Sequence, residues 1–290
     1  MSTRKSRYIS TNGMEMHFSE WGSENPETVV CVHGLTRNGR DFDAIAEELA
    51  VRFRVVCPDV MGRGLSQWSE NPDADYRFDR YVSDLVHLVN SLEVDRVRWI
   101  GTSMGGALGI RLAGSALKGR ISRLVLNDIG PGPMADSASA TETLNAGIQR
   151  IVSYLSKPPR FRSLRELVSY YQGIYASFGI QSEEGWTHFT ENSARRTEDG
   201  SFSPDYDPNI AVQMTRPAEL ELWETWNQIE CPVFVLRGET SDILPSDVFA
   251  RMKSGPVNCT GIEIAGCGHA PALNTPEQIE AIASFLTAGF

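Results

Sequence analysis

The stretch VRWIGTSMGG, residues 97–106, places a serine between a short apolar run and a run of helical period. Its centre, Gly101-Thr102-Ser103-Met104-Gly105, has the pattern G-x-S-x-G. A serine on so sharp a turn from strand to helix has a strained backbone, and the glycines are needed because a Cβ atom there would collide with the adjoining chain. The turn exposes the serine hydroxyl, and the helix dipole points toward it. The pattern therefore predicts that Ser103 is a nucleophile.

The run before Ser103 is one of six short, mostly β-branched runs separated by segments of helical period. The runs lack polar alternation, which is typical of strands covered on both faces. Repetition of strand, helix and strand predicts a mostly parallel sheet with right-handed crossovers. The predicted strands are Thr28–Val32, Arg54–Pro58, Val97–Ile100, Ile121–Leu126, Val233–Leu236 and Thr260–Ile264. The predicted helices are Phe42–Ala50, Tyr81–Leu92, Met104–Leu117, Val248–Lys253 and Pro276–Leu286.

Two further regions complete the predicted organisation. Near the start of the chain, Arg7–Ser10 and Met14–Glu20 flank Thr11-Asn12-Gly13, which predicts a β-hairpin. Residues 131–228 contain no convincing buried strand but several amphipathic helical patterns, such as those of residues 163–178 and 182–195. We predict a core domain of residues 1–130 and 229–290 with a helical cap of residues 131–228. Most aromatic residues of the cap are expected to pack it onto the core, and the remainder to line a pocket.

Composition narrows the classes of function. The chain has 290 residues and a formal net charge of −10, with no run of Lys or Arg that could track a phosphate backbone, so nucleic acid is not an expected partner. No stretch of about 18 apolar residues predicts a membrane span. The five cysteines are an odd number without zinc-like spacing, and they indicate free thiols in the cytoplasm. We expect a monomer or homodimer that acts on a small molecule.

Two more motifs follow predicted strands, in a fixed order with the serine motif. His33-Gly34-Leu35 comes after the strand of residues 28–32, and DVMGRGLS, residues 59–66, comes after the next strand. Together with Gly101–Gly105, these motifs resemble those of the α/β-hydrolase superfamily, and the resemblance covers nearly the whole chain. It implies an α/β fold with a mostly parallel eight-stranded sheet flanked by helices and a helical cap insertion. It also implies an esterase-like or lactonase-like enzyme with a serine nucleophile.

A serine hydroxyl needs a base to accept its proton, and an imidazole base needs an acid to fix its tautomer. Of the five histidines, His269 lies in Gly266-Cys267-Gly268-His269-Ala270-Pro271, directly after the last predicted strand. The resemblance implies that this is the catalytic histidine.

The acid has two candidates. Asp242 follows the strand of residues 233–236 and gives the chain order Ser, Asp, His that is expected of this fold. Asp128 follows the strand of residues 121–126, where some members of the superfamily place the acid; its other interpretation is a cap at the entry to the insertion. We favour Asp242, and we expect Asp242→Asn to slow turnover far more than Asp128→Asn. Glu239 is a weaker candidate because it lies too close to the end of its strand.

The resemblance also assigns the oxyanion-hole donors, which are the backbone N–H groups of Leu35 and Met104. Four other side chains are candidates for the pocket. His33 is better explained as a structural residue of its loop, and Arg63 as a loop-fixing residue that could also bind a substrate carboxylate. His188 and Trp186 lie in the predicted cap and could face the pocket.

Hydrolysis of a small carboxylic ester or lactone fits these residues and needs neither cofactor nor metal. The closest alternative is a carbon–carbon bond hydrolase that acts on a ring-cleavage product. Enzymes of this kind share the sequence S-M-G-G at the serine turn, but they usually have an aromatic residue where this chain has Ala270. A small-ligand receptor on a hydrolase scaffold is a further alternative. Acyl transfer to an alcohol or peroxide is a third, because the same acyl-enzyme permits it.

Overall fold

An eight-stranded sheet lies at the centre of the molecule, for which a computed structural model describes residues 3–132 and 138–288. The strands are β1 (Lys5–Thr11), β2 (Met14–Trp21), β3 (Thr28–Val32), β4 (Arg54–Pro58), β5 (Val97–Thr102), β6 (Ile121–Asn127), β7 (Ala194–Arg196), β8 (Phe202–Pro204), β9 (Val233–Gly238) and β10 (Cys259–Ile264). The main sheet has the order β1-β2-β4-β3-β5-β6-β9-β10, and only the β1–β2 and β2–β4 pairings are antiparallel. The predicted fold class is confirmed.

Helices cover both faces of this sheet. The helices of the described chain are α1 (Asp43–Leu49), α2 (Pro72–Asp75), α3 (Phe78–Ser91), α4 (Met104–Gly114), α5 (Ala138–Leu155), α6 (Leu164–Ile174), α7 (Glu183–Glu191), α8 (Trp223–Trp226), α9 (Ser246–Ser254) and α10 (Pro276–Thr287). Apolar side chains of α3, α4 and α9 join one hydrophobic core, and those of α1 and α10 join the core on the opposite face. All five residues of β3 are buried, as expected for a strand covered on both sides. None of the described helices combines the length and the apolar character that a membrane crossing requires.

The predicted hairpin at the start of the chain is present. β1 and β2 pair in register from Lys5 with Glu20 to Thr11 with Met14. Asn12 and Gly13 both have positive φ values, 47° and 84°. Two successive left-handed residues form the tight turn that matches the right-handed twist of paired strands.

The region between β6 and β9 is mainly helical, as the sequence predicts. It contains α5 to α8, and α6 and α7 pack around a small core of their own that includes Leu167, Tyr171, Tyr175 and Trp186. The short antiparallel β7–β8 sheet was not predicted, because three-residue strands are too short for an alternating pattern to be recognised. Residues 133–137 of the predicted cap lie outside the described residues, and the division at residues 131 and 228 stays a prediction.

Candidate active site

Ser103 lies on the strained turn between β5 and α4. Its φ is 51° and its ψ is −114°, a conformation that non-glycine residues rarely adopt. A Cβ atom on Gly101 would lie 2.3 Å from the carbonyl oxygen of Gly105, and one on Gly105 would lie 1.9 Å from that of Val32. Both glycines are therefore required by close backbone contact, which is the reason given above for the G-x-S-x-G pattern.

His269 contacts the serine. Its Nε2 lies 2.8 Å from Ser103 Oγ, and the imidazole is largely buried in the loop after β10. A short 3₁₀ segment of the predicted cap, Ala176–Phe178, holds this loop. Ser177 Oγ donates to the His269 carbonyl at 3.0 Å, and the Ser177 carbonyl accepts from Gly268 N–H at 2.8 Å. The cap and the core therefore both contribute to the position of the imidazole.

Asp128 is the acid that contacts the histidine. It follows β6 directly, is fully buried, and its Oδ2 lies 2.8 Å from His269 Nδ1. Gly238 N–H donates to its Oδ1 at 2.8 Å, and the Ser241 hydroxyl donates to its Oδ2 at 2.6 Å. With an acceptor at Nδ1, the neutral imidazole keeps its proton there and leaves Nε2 free to accept from Ser103.

Asp242, the acid favoured from the sequence, does not contact His269, so that expectation is wrong. Its two carboxylate oxygens accept from Arg150 Nε and Nη2 at 2.8 and 3.0 Å. Burial acts to raise the pKa of Asp242, but the Arg150 guanidinium outweighs it and holds this pKa below its usual value. The loop after β9 thus directs the side chain of Ser241 toward Asp128 and the carboxylate of Asp242 toward α5. Glu239 accepts from Gly266 N–H instead.

Ser241 was not identified from the sequence, and its contacts give a first testable prediction. Its hydroxyl donates to Asp128 and accepts from the N–H groups of Ile243 and Leu244, so it joins the β9 loop to the acid. Ser241→Ala removes a hydrogen bond to a charged group, and we expect kcat to fall by about tenfold with KM little changed. Steady-state kinetics on a chromogenic ester measure this. Ser241→Thr retains the hydroxyl and is expected to recover most of the rate; an alanine variant with unchanged kcat would contradict the role.

Leu35 and Met104, the predicted oxyanion residues, both lie beside Ser103. Met104 is the first residue of α4, Leu35 follows β3, and both line the same cavity as Ser103. The Leu35 carbonyl accepts from Arg63 Nε at 2.9 Å. Arg63 is fully buried and also donates to the Met61 carbonyl, the Tyr81 hydroxyl and Gln213 Oε1. Arg63 is therefore a positioning residue of the Leu35 loop rather than a side chain of the pocket.

The remaining pocket candidates do not reach Ser103. His33 Nδ1 donates to the Gly34 carbonyl, and its Nε2 accepts from Val60 N–H. Burial lowers the pKa of His33 to about 4, so this imidazole is neutral and structural. Trp186 packs inside the small core of α6 and α7. His188 is exposed and lines a separate cavity of ≈ 350 Å³, 3.5 Å from Asp43.

Two smaller cavities meet at Ser103 and differ in chemistry. One, of ≈ 100 Å³, is mainly apolar and is lined by Leu35, Met104, Ile129, Ile151 and Ile243 among others. The other, of ≈ 40 Å³, has more polar side chains in its lining, which includes His269, Thr36, Arg37, Arg150, Tyr154 and Tyr175. Across residues 3–132 and 138–288, no three His, Cys, Asp or Glu side chains form a group that could hold a metal ion.

Comparison with known proteins identifies the family of the chain. Residues 29–282 match the model of the alpha/beta hydrolase family. The chain belongs to this family.

Two relatives and one solved structure match this α/β-hydrolase over nearly its whole length. It is 39% identical to the 3-hydroxybutyrate-oligomer hydrolase of Cupriavidus necator, over 96% of this chain and 95% of that protein. It is 22% identical to the 2-(acetamidomethylene)succinate hydrolase of Mesorhizobium japonicum, over 98% of this chain and 95% of that protein. Among solved structures, an alpha/beta hydrolase from Novosphingobium aromaticivorans superposes with a TM-score of 0.85 at 32% identity, over 99% of each chain. The protein is a hydrolase.

Proposed function

We propose that this α/β-hydrolase cleaves the ester bond of a short hydroxyacyl ester through an acyl-enzyme on Ser103. The observation that carries the proposal is the continuous contact from Ser103 Oγ to His269 Nε2 and from His269 Nδ1 to Asp128 Oδ2, each 2.8 Å. This is the arrangement by which a hydroxyl becomes a nucleophile at neutral pH.

The proposed reaction has two halves. In the first, His269 Nε2 takes the proton of Ser103 Oγ as the oxygen bonds to the ester carbonyl carbon. The negative charge on the former carbonyl oxygen is stabilised by the N–H groups of Leu35 and Met104. The carbon–oxygen bond to the leaving alcohol then breaks, and His269 gives the proton to that oxygen. In the second half, water attacks the acyl-serine with His269 again as base, and the carboxylic acid is released.

The size of the apolar cavity and the relatives both support a short hydroxyacyl substrate. The cavity of ≈ 100 Å³ is small and mainly apolar, which suits a short acyl chain. The relative with 39% identity is named for 3-hydroxybutyrate oligomers, which are short chains joined by ester bonds. The proposal includes a cytoplasmic location, because the five cysteines are unpaired thiols and cytosolic disulfides are rare.

Labelling with a fluorophosphonate followed by a substrate panel tests the proposal. We expect the label on Ser103 in the folded protein and turnover of 3-hydroxybutyrate dimers and p-nitrophenyl butyrate. Absence of label on Ser103 would contradict the nucleophile. Turnover of a ring-cleavage diketone without turnover of esters would favour the carbon–carbon bond hydrolase, and tight ligand binding with negligible turnover would favour the receptor. Added alcohol that diverts most of the product to a new ester would favour acyl transfer.

A further inference from the structure

The two cavities at Ser103 can be assigned to the two halves of an ester substrate. The imidazole that protonates the leaving oxygen must face the leaving group. His269 lines the cavity of ≈ 40 Å³, so that cavity faces the leaving alcohol. Ser103 and Leu35 line both cavities, but Met104, the second proposed oxyanion residue, lines only the apolar one, so we assign the apolar cavity to the acyl group. Two arginines, Arg37 and Arg150, line the cavity on the leaving-group side, and a third, Arg216, lines the apolar cavity.

Arg37, one of the residues that line the cavity on the leaving-group side, has an unsatisfied donor. Its side chain is 4% exposed, and its Nε and Nη2 donate to Asp41. Its Nη1 is buried and, within residues 3–132 and 138–288, has no hydrogen-bond partner. Burial acts against the charged guanidinium, but the Asp41 carboxylate outweighs it and holds the pKa of Arg37 above its usual value. A buried donor of a charged group without a partner is costly, and an acceptor on a bound ligand would remove that cost.

The ring system around Arg37 prevents the guanidinium from turning away. Its central carbon lies 3.6 Å from the centre of the Phe189 ring and 5.2 Å from that of Tyr175. Asp41 holds one edge of the guanidinium and the rings hold its face, so the orientation of Nη1 is fixed in advance of binding. Fixed donors lose little freedom when a ligand binds, which favours affinity.

Arg150 adds a second cation to the same cavity. Its Nε and Nη2 bind Asp242, which leaves Nη1 on the edge away from that carboxylate. The side chain of Asp242 is 33% exposed, so water can solvate it when Arg150 binds another anion. Burial raises the pKa values of Tyr154 and Tyr175, which keeps both phenols protonated as possible donors. The cavity thus combines guanidinium and phenol donors of the kind that recognise a carboxylate.

We propose that Arg37 and Arg150 bind the free carboxylate of a leaving hydroxy acid, so that the enzyme removes hydroxy-acid units from the carboxyl end of the chain. This inference rests on the proposed function. In the reaction, the ester carbon–oxygen bond next to the terminal unit breaks, and the hydroxyl oxygen of that unit receives the proton from His269. The remaining chain stays on Ser103 until water releases it as a new, shorter acid. When this shorter acid binds again, its new carboxylate can occupy the same cavity.

A comparison of 3-(butanoyloxy)butanoate with its methyl ester tests the carboxylate site. We expect wild-type kcat/KM to be at least about tenfold higher for the free acid, and Arg150→Gln to lower this preference by about tenfold, mainly through KM. Arg160→Gln is the matched control, because Arg160 is an exposed arginine that pairs with Asp199 and should leave the ratio unchanged. Arg37→Gln is expected to act in the same direction. If Arg37→Gln fails to fold, the preference of Arg150→Gln for free acid over methyl ester alone decides whether the carboxylate site exists.

The direction of cleavage has its own test in a trimer of 3-hydroxybutyrate whose hydroxyl end is acetylated. The expected first products are free 3-hydroxybutyrate and the acetylated dimer, identified by mass spectrometry. Early release of acetylated monomer with free dimer would overturn the proposal, as would equal kcat/KM for acid and methyl ester. These results would leave the proposed function intact as long as esters are still hydrolysed. If no ester is hydrolysed and Ser103 is not labelled, the proposed function itself fails.

Discussion

Exchange of Asp128 for asparagine is expected to lower kcat on ester substrates by about 10⁴-fold. The carboxylate accepts a hydrogen bond from His269 Nδ1–H and is held by Gly238 N–H and the Ser241 hydroxyl. Because Gly238 N–H still needs an acceptor at the Oδ1 position, an asparagine places its amide nitrogen at the Oδ2 position, where it donates to His269 Nδ1. The imidazole would then carry its proton on Nε2 and could not accept the proton of Ser103.

Asp242→Asn is the matched control for this variant. It removes a carboxylate of the same type from the loop after β9, but that carboxylate binds Arg150 and does not contact His269. We expect its kcat to stay within about threefold of the wild-type value, since a half-exposed ion pair contributes little. Pre-steady-state and steady-state rates with p-nitrophenyl butyrate distinguish the two variants. A larger loss in Asp242→Asn than in Asp128→Asn would move the acid to the loop after β9.

Ser103→Ala is expected to have the largest effect, a loss of kcat of about 10⁴- to 10⁶-fold. Without Oγ no acyl-enzyme can form, and His269 is left to activate water at a distance. The positive φ of 51° is unfavourable to alanine as well as to serine, so the backbone is held there by its surroundings and the fold should persist. The remaining rate over the uncatalysed reaction would come from substrate binding and the oxyanion donors.

Rate measurements on Ser103→Ala need a control serine and a check of folding. Ser115, at the C-terminal end of α4, is exposed, and its hydroxyl donates to the Arg111 carbonyl on the same helix. Ser115→Ala should keep wild-type kcat, and circular dichroism should be the same for all three proteins. Retention of more than about one per cent of wild-type kcat by Ser103→Ala would place the nucleophile on another residue.

The serine and the histidine were predictable because each lies in a local motif. The G-x-S-x-G pattern specifies its turn through contacts within a few residues, as the close approach of Gly101 to Gly105 shows. His269 lies in a glycine-containing loop directly after a recognisable strand. In both cases the information is contained in a short stretch of sequence.

The acid was not predictable because two aspartates follow neighbouring strands in the same way. β6 and β9 pair in the sheet, so Asp128 and Asp242 both lie near its carboxyl edge. Which of the two is the acid depends on which loop directs its carboxylate toward His269. Asp128 has a φ of 55°, a left-handed conformation that turns its carboxylate toward His269, while α5 supplies Arg150 to Asp242. The sequence analysis did not identify α5 as a helix, so the partner of Asp242 could not be foreseen.

The buried role of Arg63 was also only partly predictable. Its position in the motif of residues 59–66 indicated a loop-fixing residue, but its partners come from three separate parts of the chain, namely Leu35, Tyr81 and Gln213. Gln213 lies in the 3₁₀ segment Pro208–Thr215 of the predicted cap. Contacts between residues 150 positions apart carry no local signature in a single sequence.

The hydrogen bonds between Ala176–Phe178 and the histidine loop restrict how this enzyme can admit a substrate. Besides the two contacts of Ser177, the Phe178 carbonyl accepts from Ala272 N–H at 3.0 Å. Full outward rotation of that part of the insertion would therefore displace the loop that carries His269, the proposed general base. Substrate and product must instead pass between side chains while Ala176–Phe178 stays in place. The same short segment therefore affects both substrate access and the position of His269.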